Sequence, residues 1–298
     1  MLTIKCFVIL SVAIAATHGF SLSPTQIRFH LFTRNNPTQS ENLAATQASI
    51  AQSSFQISAR TIISIHDHDD SVGGNFNAHV QRAHLAAGNV NFIAVDWSIG
   101  ASTAYTFSLS NTPQVGTVVA QFVNILVNNF GYDVNNVKIV GVGLGAHAAG
   151  IAARTINGNV PHIVALDPAL LGWTHHPEKL NASDAGVVEV LHTSAGHYGY
   201  DLPLGDIDFY ANGELQPYCG ADVECSHELS FIYYAESINA ESGNGPQFVG
   251  TSCDSYENAL QARCTGARDA SFGGSASKDG VSGVYWFATN NAPPFARG

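Results

Sequence analysis

The residues best able to do chemistry gather at one glycine-rich turn. Lys138-Ile-Val-Gly-Val-Gly-Leu-Gly-Ala-His147 passes from a β-branched run through alternating glycines into the small residues 148–154. Two kinds of site are built on such a strand-to-helix turn. In a dinucleotide site, Gly141, Gly143 and Ala146 supply the G-x-G-x-x-G/A spacing, and Asp167, roughly twenty residues on, holds a ribose hydroxyl. In a nucleophile elbow the frame is G-x-S-x-G, here Gly141-Val142-Gly143-Leu144-Gly145, and Gly143 stands where the reaction needs a serine. Close packing selects glycine in either turn, so the turn alone leaves both readings open.

The elements that must position this turn alternate along the chain. Apolar, β-branched runs at 27–32, 61–66, 90–97, 137–142, 162–166, 187–192 and 207–210 read as strands. Between the third and fourth lies a helical pattern over 113–130. Its Val115, Val118, Val119, Phe122, Leu126 and Phe130 recur at steps of three and four, and Gly131 is placed to end it. Strand, helix, strand predicts an α/β chain with a parallel sheet and helices on its faces. The near-continuous apolar runs at 92–95 and 137–142 fit central strands buried on both sides.

Of 298 residues, 12% are charged and 45% apolar, with 12 Lys plus Arg against 23 Asp plus Glu for a net charge of −11. A chain this acidic, without basic clusters, is a poor match for nucleic acid or anionic membranes, which need patches of Lys and Arg. Residues 1–19 read as a secretory signal peptide: Lys5, a short apolar run over 6–16, then small residues. No other apolar stretch is long enough to span a bilayer, so the mature chain is expected to be extracellular, one domain over 20–298. A secreted protein rarely meets NAD, which weakens the dinucleotide reading. Removal of the leader leaves Cys219, Cys225, Cys253 and Cys264. Three pairings are open, and the short spacings favour 219 with 225 and 253 with 264. Two cysteines without a second pair nearby make a poor zinc site. His66-Asp-His-Asp-Asp70, with His79 and His84, matches no ligand spacing and reads as a solvated polar loop, so no metal or cofactor is expected. His147 reads as a packed or capping histidine. Asn181-Ala-Ser183 is a glycosylation sequon.

The flanks of the turn decide between its two readings. Phe29-His-Leu-Phe-Thr-Arg-Asn-Asn-Pro37, Val95-Asp-Trp-Ser98, Ala165-Leu-Asp-Pro168, Val190-Leu-His-Thr193, Ile207-Asp-Phe-Tyr-Ala-Asn-Gly213 and Cys225-Ser-His227 follow one another in order. Together they resemble the secreted lipase family that contains pancreatic-type triacylglycerol lipases, insect phospholipases A1 and fly yolk proteins. The resemblance covers nearly the whole mature chain. It implies an α/β-hydrolase fold, with a central, mostly parallel sheet and helices on both faces.

In that family a Ser-Asp-His triad does the work. The resemblance assigns the acid to Asp167 and the base to His227, and it puts Gly143 at the nucleophile. His227 would take the hydroxyl proton and Asp167 would orient the imidazole, but there is no hydroxyl at Gly143. The oxyanion loop departs too. Where the family has His-Gly-aromatic, this chain has His66-Asp67-His68. With His68 and Leu144 at the oxyanion region, an acid at 67 opposes stabilisation worth commonly about 3 kcal/mol per donor. These read as two independent defects. The lid between Cys219 and Cys225 is reduced to residues 220–224, too short to cover much. Glu178 and Asp184 fall in a segment similar to the calcium loop, shortened and with Asn181 where an acid is expected, which argues against calcium. The expectation is a secreted pseudoenzyme whose cleft binds a lipid or lipophilic small molecule, or which serves storage or interaction as yolk proteins do. The alternative is an active carboxylic ester hydrolase of triacylglycerol lipase or phospholipase A1 type that finds a hydroxyl at Ser194 or Ser226.

Overall fold

The computed structural model describes residues 21–298, so the expected leader lies outside the described residues. Eleven strands form one sheet: β1 (Arg28–Phe32), β2 (Glu41–Leu43), β3 (Arg60–Ile65), β4 (Val90–Asp96), β5 (Val137–Val142), β6 (His162–Leu166), β7 (Val187–His192), β8 (Ile207–Ala211), β9 (Val249–Cys253), β10 (Arg268–Ser271) and β11 (Gly283–Phe287). Their order is β10-β9-β11-β8-β7-β6-β5-β3-β4-β1-β2. From β4 to β11 every neighbouring pair is parallel. Antiparallel strands close both edges. Every residue of β5 and β6 is buried, Lys138 and His162 included, which is why those segments read as near-continuous apolar runs rather than alternating ones.

Each face of the sheet has its own core. On one face the helix Tyr105–Phe130 crosses the elbow helix Leu144–Thr155, burying Val115, Val119, Phe122 and Leu126. They cross so closely that a Cβ on Gly116 would lie 2.7 Å from Ile151. On the other face the helices Asn75–Ala87 and Val223–Glu241 bury Phe76, Val80, Phe231 and Tyr234. Each large apolar side chain sealed in this way contributes roughly 1.5–3 kcal/mol.

The helix expected over 113–130 begins at Tyr105, with Pro113 inside it. The turns ahead of the proline carry Ser108, Asn111 and Thr112, buried and hydrogen-bonded. Ser108 Oγ donates to the carbonyls of Gly100 and Ala101, and Asn111 Oδ1 accepts from the Leu22 amide. Apolar periodicity cannot see such a face. The helix ends at Gly131, in the left-handed region at φ 64°. Disulfides join Cys219 to Cys225 and Cys253 to Cys264.

The polar stretch after β3 is only partly the solvated loop it reads as. His66 is wholly buried, stacked on Trp97 with ring centroids 5.3 Å apart. Its Nδ1 donates to the Asp67 carbonyl at 2.9 Å, and its main-chain oxygen accepts from the Trp97 indole at 3.0 Å. His84 is also buried and bonds the Tyr234 hydroxyl. The loop that carries Asp67 is therefore anchored in the core.

Candidate active site

The elbow forms where β5 meets its helix. Gly143 has φ 55° and ψ −117°, a conformation that L side chains rarely adopt. At Gly145 the constraint is space: a Cβ there would lie 2.0 Å from the Ile65 carbonyl oxygen. The turn thus lies tight against the end of β3, beside Asp67.

Asp167 stands at the end of β6, fully buried. Its carboxylate accepts from the amides of Thr193 at 2.8 Å and Ser194 at 2.9 Å, from the Ser194 hydroxyl, and from His227 Nδ1 at 2.7 Å. Burial opposes its charge, but these hydrogen bonds, with His227 foremost, outweigh it and hold the carboxyl below the usual range. His227 lies in the first turns of the helix Val223–Glu241, whose start is capped by Asp222 accepting from the Cys225 amide and stapled by the 219–225 disulfide. The structure therefore brings Asp167 and His227 together at the elbow.

The third member of the group is Asp67. Its Oδ1 accepts from the Leu144 amide at 2.6 Å, and its Oδ2 lies 3.3 Å from His227 Nε2, close enough for an ion pair though off the line of a hydrogen bond. A Cβ built on Gly143 would meet the Asp67 carboxyl carbon at 2.0 Å. The acid fills the space in which a serine at 143 would place its side chain. The two departures read as independent in the sequence meet at one point, with the Asp67 carboxylate in the space beside Gly143. His227 is held between two carboxylates. Burial alone would discourage its charge, but the hydrogen bond to Asp167 and then the facing carboxylate of Asp67 push its pKa up to about 10.

The other expected residues fall into place around this core. Leu144 offers its amide, which Asp67 occupies. His68 lies in the same cleft, with Nδ1 3.1 Å from Ser108 Oγ and its ring against the edge of Tyr105. The dinucleotide alternative fails here, because a carboxylate sits on the helix N-terminus where a phosphate would have to bind. Neither substitute hydroxyl is free: Ser194 is buried and donates to Asp167, and Ser226 is buried and accepts from the Gln216 amide. His147 is a packed histidine, stacked on Trp173 and bonded to Ala169 and Leu180.

Above Asp67 and His227 opens a cleft of about 860 Å³, walled by Phe76, Tyr105, Val142, Leu170, Tyr198 and Phe231. Leu171 and Tyr198, 69% and 54% exposed, form an apolar lip. Glu224, Glu228, Asp69 and Asp70 add an acidic border. Away from the cleft, Arg154 occupies the loop around Asn181. It bonds both oxygens of Asp184, and it donates to the carbonyls of Glu178 and Lys179. A guanidinium supplies the positive charge there, and among the described residues no cluster of His, Cys, Asp or Glu could hold a metal ion. Asn181 is exposed, its Oδ1 capping a short turn by accepting from the Ser183 amide.

The sequence model of the lipase family matches residues 11–283. Pancreatic triacylglycerol lipase of Sus scrofa is 33% identical over 91% of this chain and 67% of its own length. That of Homo sapiens is 34% identical over 83% of this chain and 58% of its own length. Pancreatic lipase-related protein 2 of Cavia porcellus is 34% identical over 80% of this chain and 56% of its own length. This chain thus spans between about half and two thirds of the curated relatives it matches. With its parallel sheet, its elbow and its Asp167–His227 pair, the chain belongs to the lipase family.

Proposed function

We propose that this protein is a secreted lipase-family member without serine-ester hydrolase activity, whose cleft holds a neutral lipophilic molecule. The observation that carries the reading is the placement of Asp67. Its carboxylate takes the volume of the missing serine side chain and the Leu144 amide that an oxyanion would need. An imidazole between two carboxylates stays protonated at neutral pH, so His227 has no free nitrogen to accept a proton. Ester hydrolysis through another hydroxyl has no support, since Ser194 and Ser226 are buried and engaged.

The aromatic walls favour an apolar ligand, and the acidic border disfavours a fatty-acid anion relative to a neutral lipid. Two disulfides and the expected leader support an extracellular setting. Among the described residues no helix is long and apolar enough to cross a membrane. A storage role like that of the yolk proteins would use the same closed chemistry.

The test is paired. A fluorophosphonate probe should leave the protein unlabelled, and esters should be hydrolysed no faster than by heat-killed protein. Nile red should bind one per chain and be lost on Leu171→Glu with Tyr198→Glu, both exposed positions. Stoichiometric fluorophosphonate labelling contradicts the reading, as does Nile red binding that ignores the lip.

A further inference from the structure

We propose that Asp67 is itself a nucleophile, and that Asp67, His227 and Asp167 together open a lipophilic epoxide to a diol through an alkyl ester on Asp67. The inference rests on the cleft admitting a neutral lipophile and goes beyond that reading. Three observations support it. Asp67 lies on the floor of an apolar cleft and is partly open to it. Its Oδ1 is fixed by the Leu144 amide, the donor that stabilises an oxyanion at a hydrolase elbow. Its Oδ2 faces an imidazole that is oriented from behind by Asp167, and whose Nε2 has no aligned hydrogen-bond partner.

A carboxylate is a poor attacker of esters, because the product is an anhydride. It is a competent attacker of a strained saturated carbon, because the product is an ordinary ester. In the first step an Asp67 oxygen bonds to an epoxide carbon as the ring C–O bond breaks. The alkoxide so formed takes the Nε2 proton of His227, leaving a hydroxyalkyl ester and a neutral imidazole. Esterification removes one of the two negative charges that hold the proton on His227, so the imidazole can then act as a base. In the second step His227 takes a proton from water as the water oxygen attacks the Asp67 carboxyl carbon. Oδ1 becomes the oxyanion and is met by the Leu144 amide. Collapse of the intermediate releases the diol, whose departing oxygen takes a proton from the imidazolium. The acid left on Asp67 then returns its proton to His227. Epoxide and water are consumed, diol is formed, and carboxylate and imidazolium are restored. An epoxide suits this cleft better than an alkyl halide, since its leaving oxygen stays on the product and no anion is expelled past Asp69, Asp70, Glu224 and Glu228.

The experiment uses decene oxide with the mature protein in excess, in heavy-oxygen water, and Nile red displacement to show that the epoxide binds. The expected result is one heavy oxygen in the Asp67 carboxylate, with the first-turnover diol free of label. His227→Gln should accumulate one equivalent of ester on the peptide that contains Asp67, and Asp67→Asn should form neither ester nor diol. The proposal is overturned by bound epoxide that yields no adduct and no diol, or by diol that carries the label while Asp67 does not. Failure of the epoxide to displace bound Nile red overturns it as well while leaving the lipophile reading in place. Failure of Nile red itself to bind sinks both.

Discussion

Two His–Asp pairs on neighbouring parts of the sheet, His192–Asp208 and His227–Asp167, differ in what surrounds the second ring nitrogen. His192, at the end of β7, gives Nδ1 to the Tyr200 carbonyl at 2.7 Å and Nε2 to Asp208 at 2.9 Å, with its ring stacked on Tyr210. Asp208 also accepts from the amides of Leu204 and Gly205, and the whole group is sealed from solvent. Every polar atom is used and nothing can approach: the pair is a strut. His227 also bonds a buried aspartate, Asp167, but through Nδ1, and its Nε2 faces a side chain borrowed from a distant loop, under an open cleft. What the outer nitrogen meets, not the pair itself, therefore decides whether a His–Asp pair is sealed as a strut or left facing a cleft.

The largest expected effect breaks the strut. Asp208→Ala strands a buried ring nitrogen of His192 and the amides of Leu204 and Gly205, and should cost about 3–5 kcal/mol in urea unfolding. A loss under about 1 kcal/mol would mean that the two pairs are not different in kind. A smaller effect appears in the pH dependence of the open pair. The His227 imidazole binds its proton up to about pH 10 when folded and only to about 6.5 when unfolded, so its contribution is complete below pH 6.5 and is lost as pH rises towards 10. Stability should fall by at most about 1.4 kcal/mol per pH unit in that window. Lys138, held by burial at about 8, works in the opposite sense above that pH, so the difference between wild type and Asp67→Asn is the quantity to read. The variant lacks one of the two carboxylates and should show a shallower decline. Parallel curves would mean that Asp67 does not hold the proton.

Much of this frame was legible in the sequence. The buried parallel strands announce themselves as near-continuous apolar runs, and the glycine turn, Asp167 and His227 stand out by motif. The last three strands, β9, β10 and β11, did not, being short and half-exposed. Nor did the helix Val223–Glu241, whose buried residues include Ser226, Ser230 and Ser237 among its aromatics, so that no apolar stripe marks it. The juxtaposition of Asp67 and Gly143 was invisible for a different reason. Asp67 and Leu144 lie 77 residues apart, and only folding shows that the acid fills the space a serine at 143 would need. Read singly, Asp67 looks like damage to an oxyanion loop. Beside Gly143 it is the side chain that completes the floor of the cleft.

That complementarity is best tested by a double-mutant cycle on Asp67→Gly and Gly143→Ser, with stability read from urea midpoints. A serine must accept the strained elbow backbone in either background, at a cost of roughly 1–3 kcal/mol. With Asp67 present it must also displace the carboxylate that now lies 2.0 Å from its Cβ. The account predicts that Gly143→Ser is more costly beside Asp67 than beside glycine, with a coupling energy of at least about 1 kcal/mol. Additivity within about 0.5 kcal/mol would contradict it, and would return Asp67 and Gly143 to two unrelated changes.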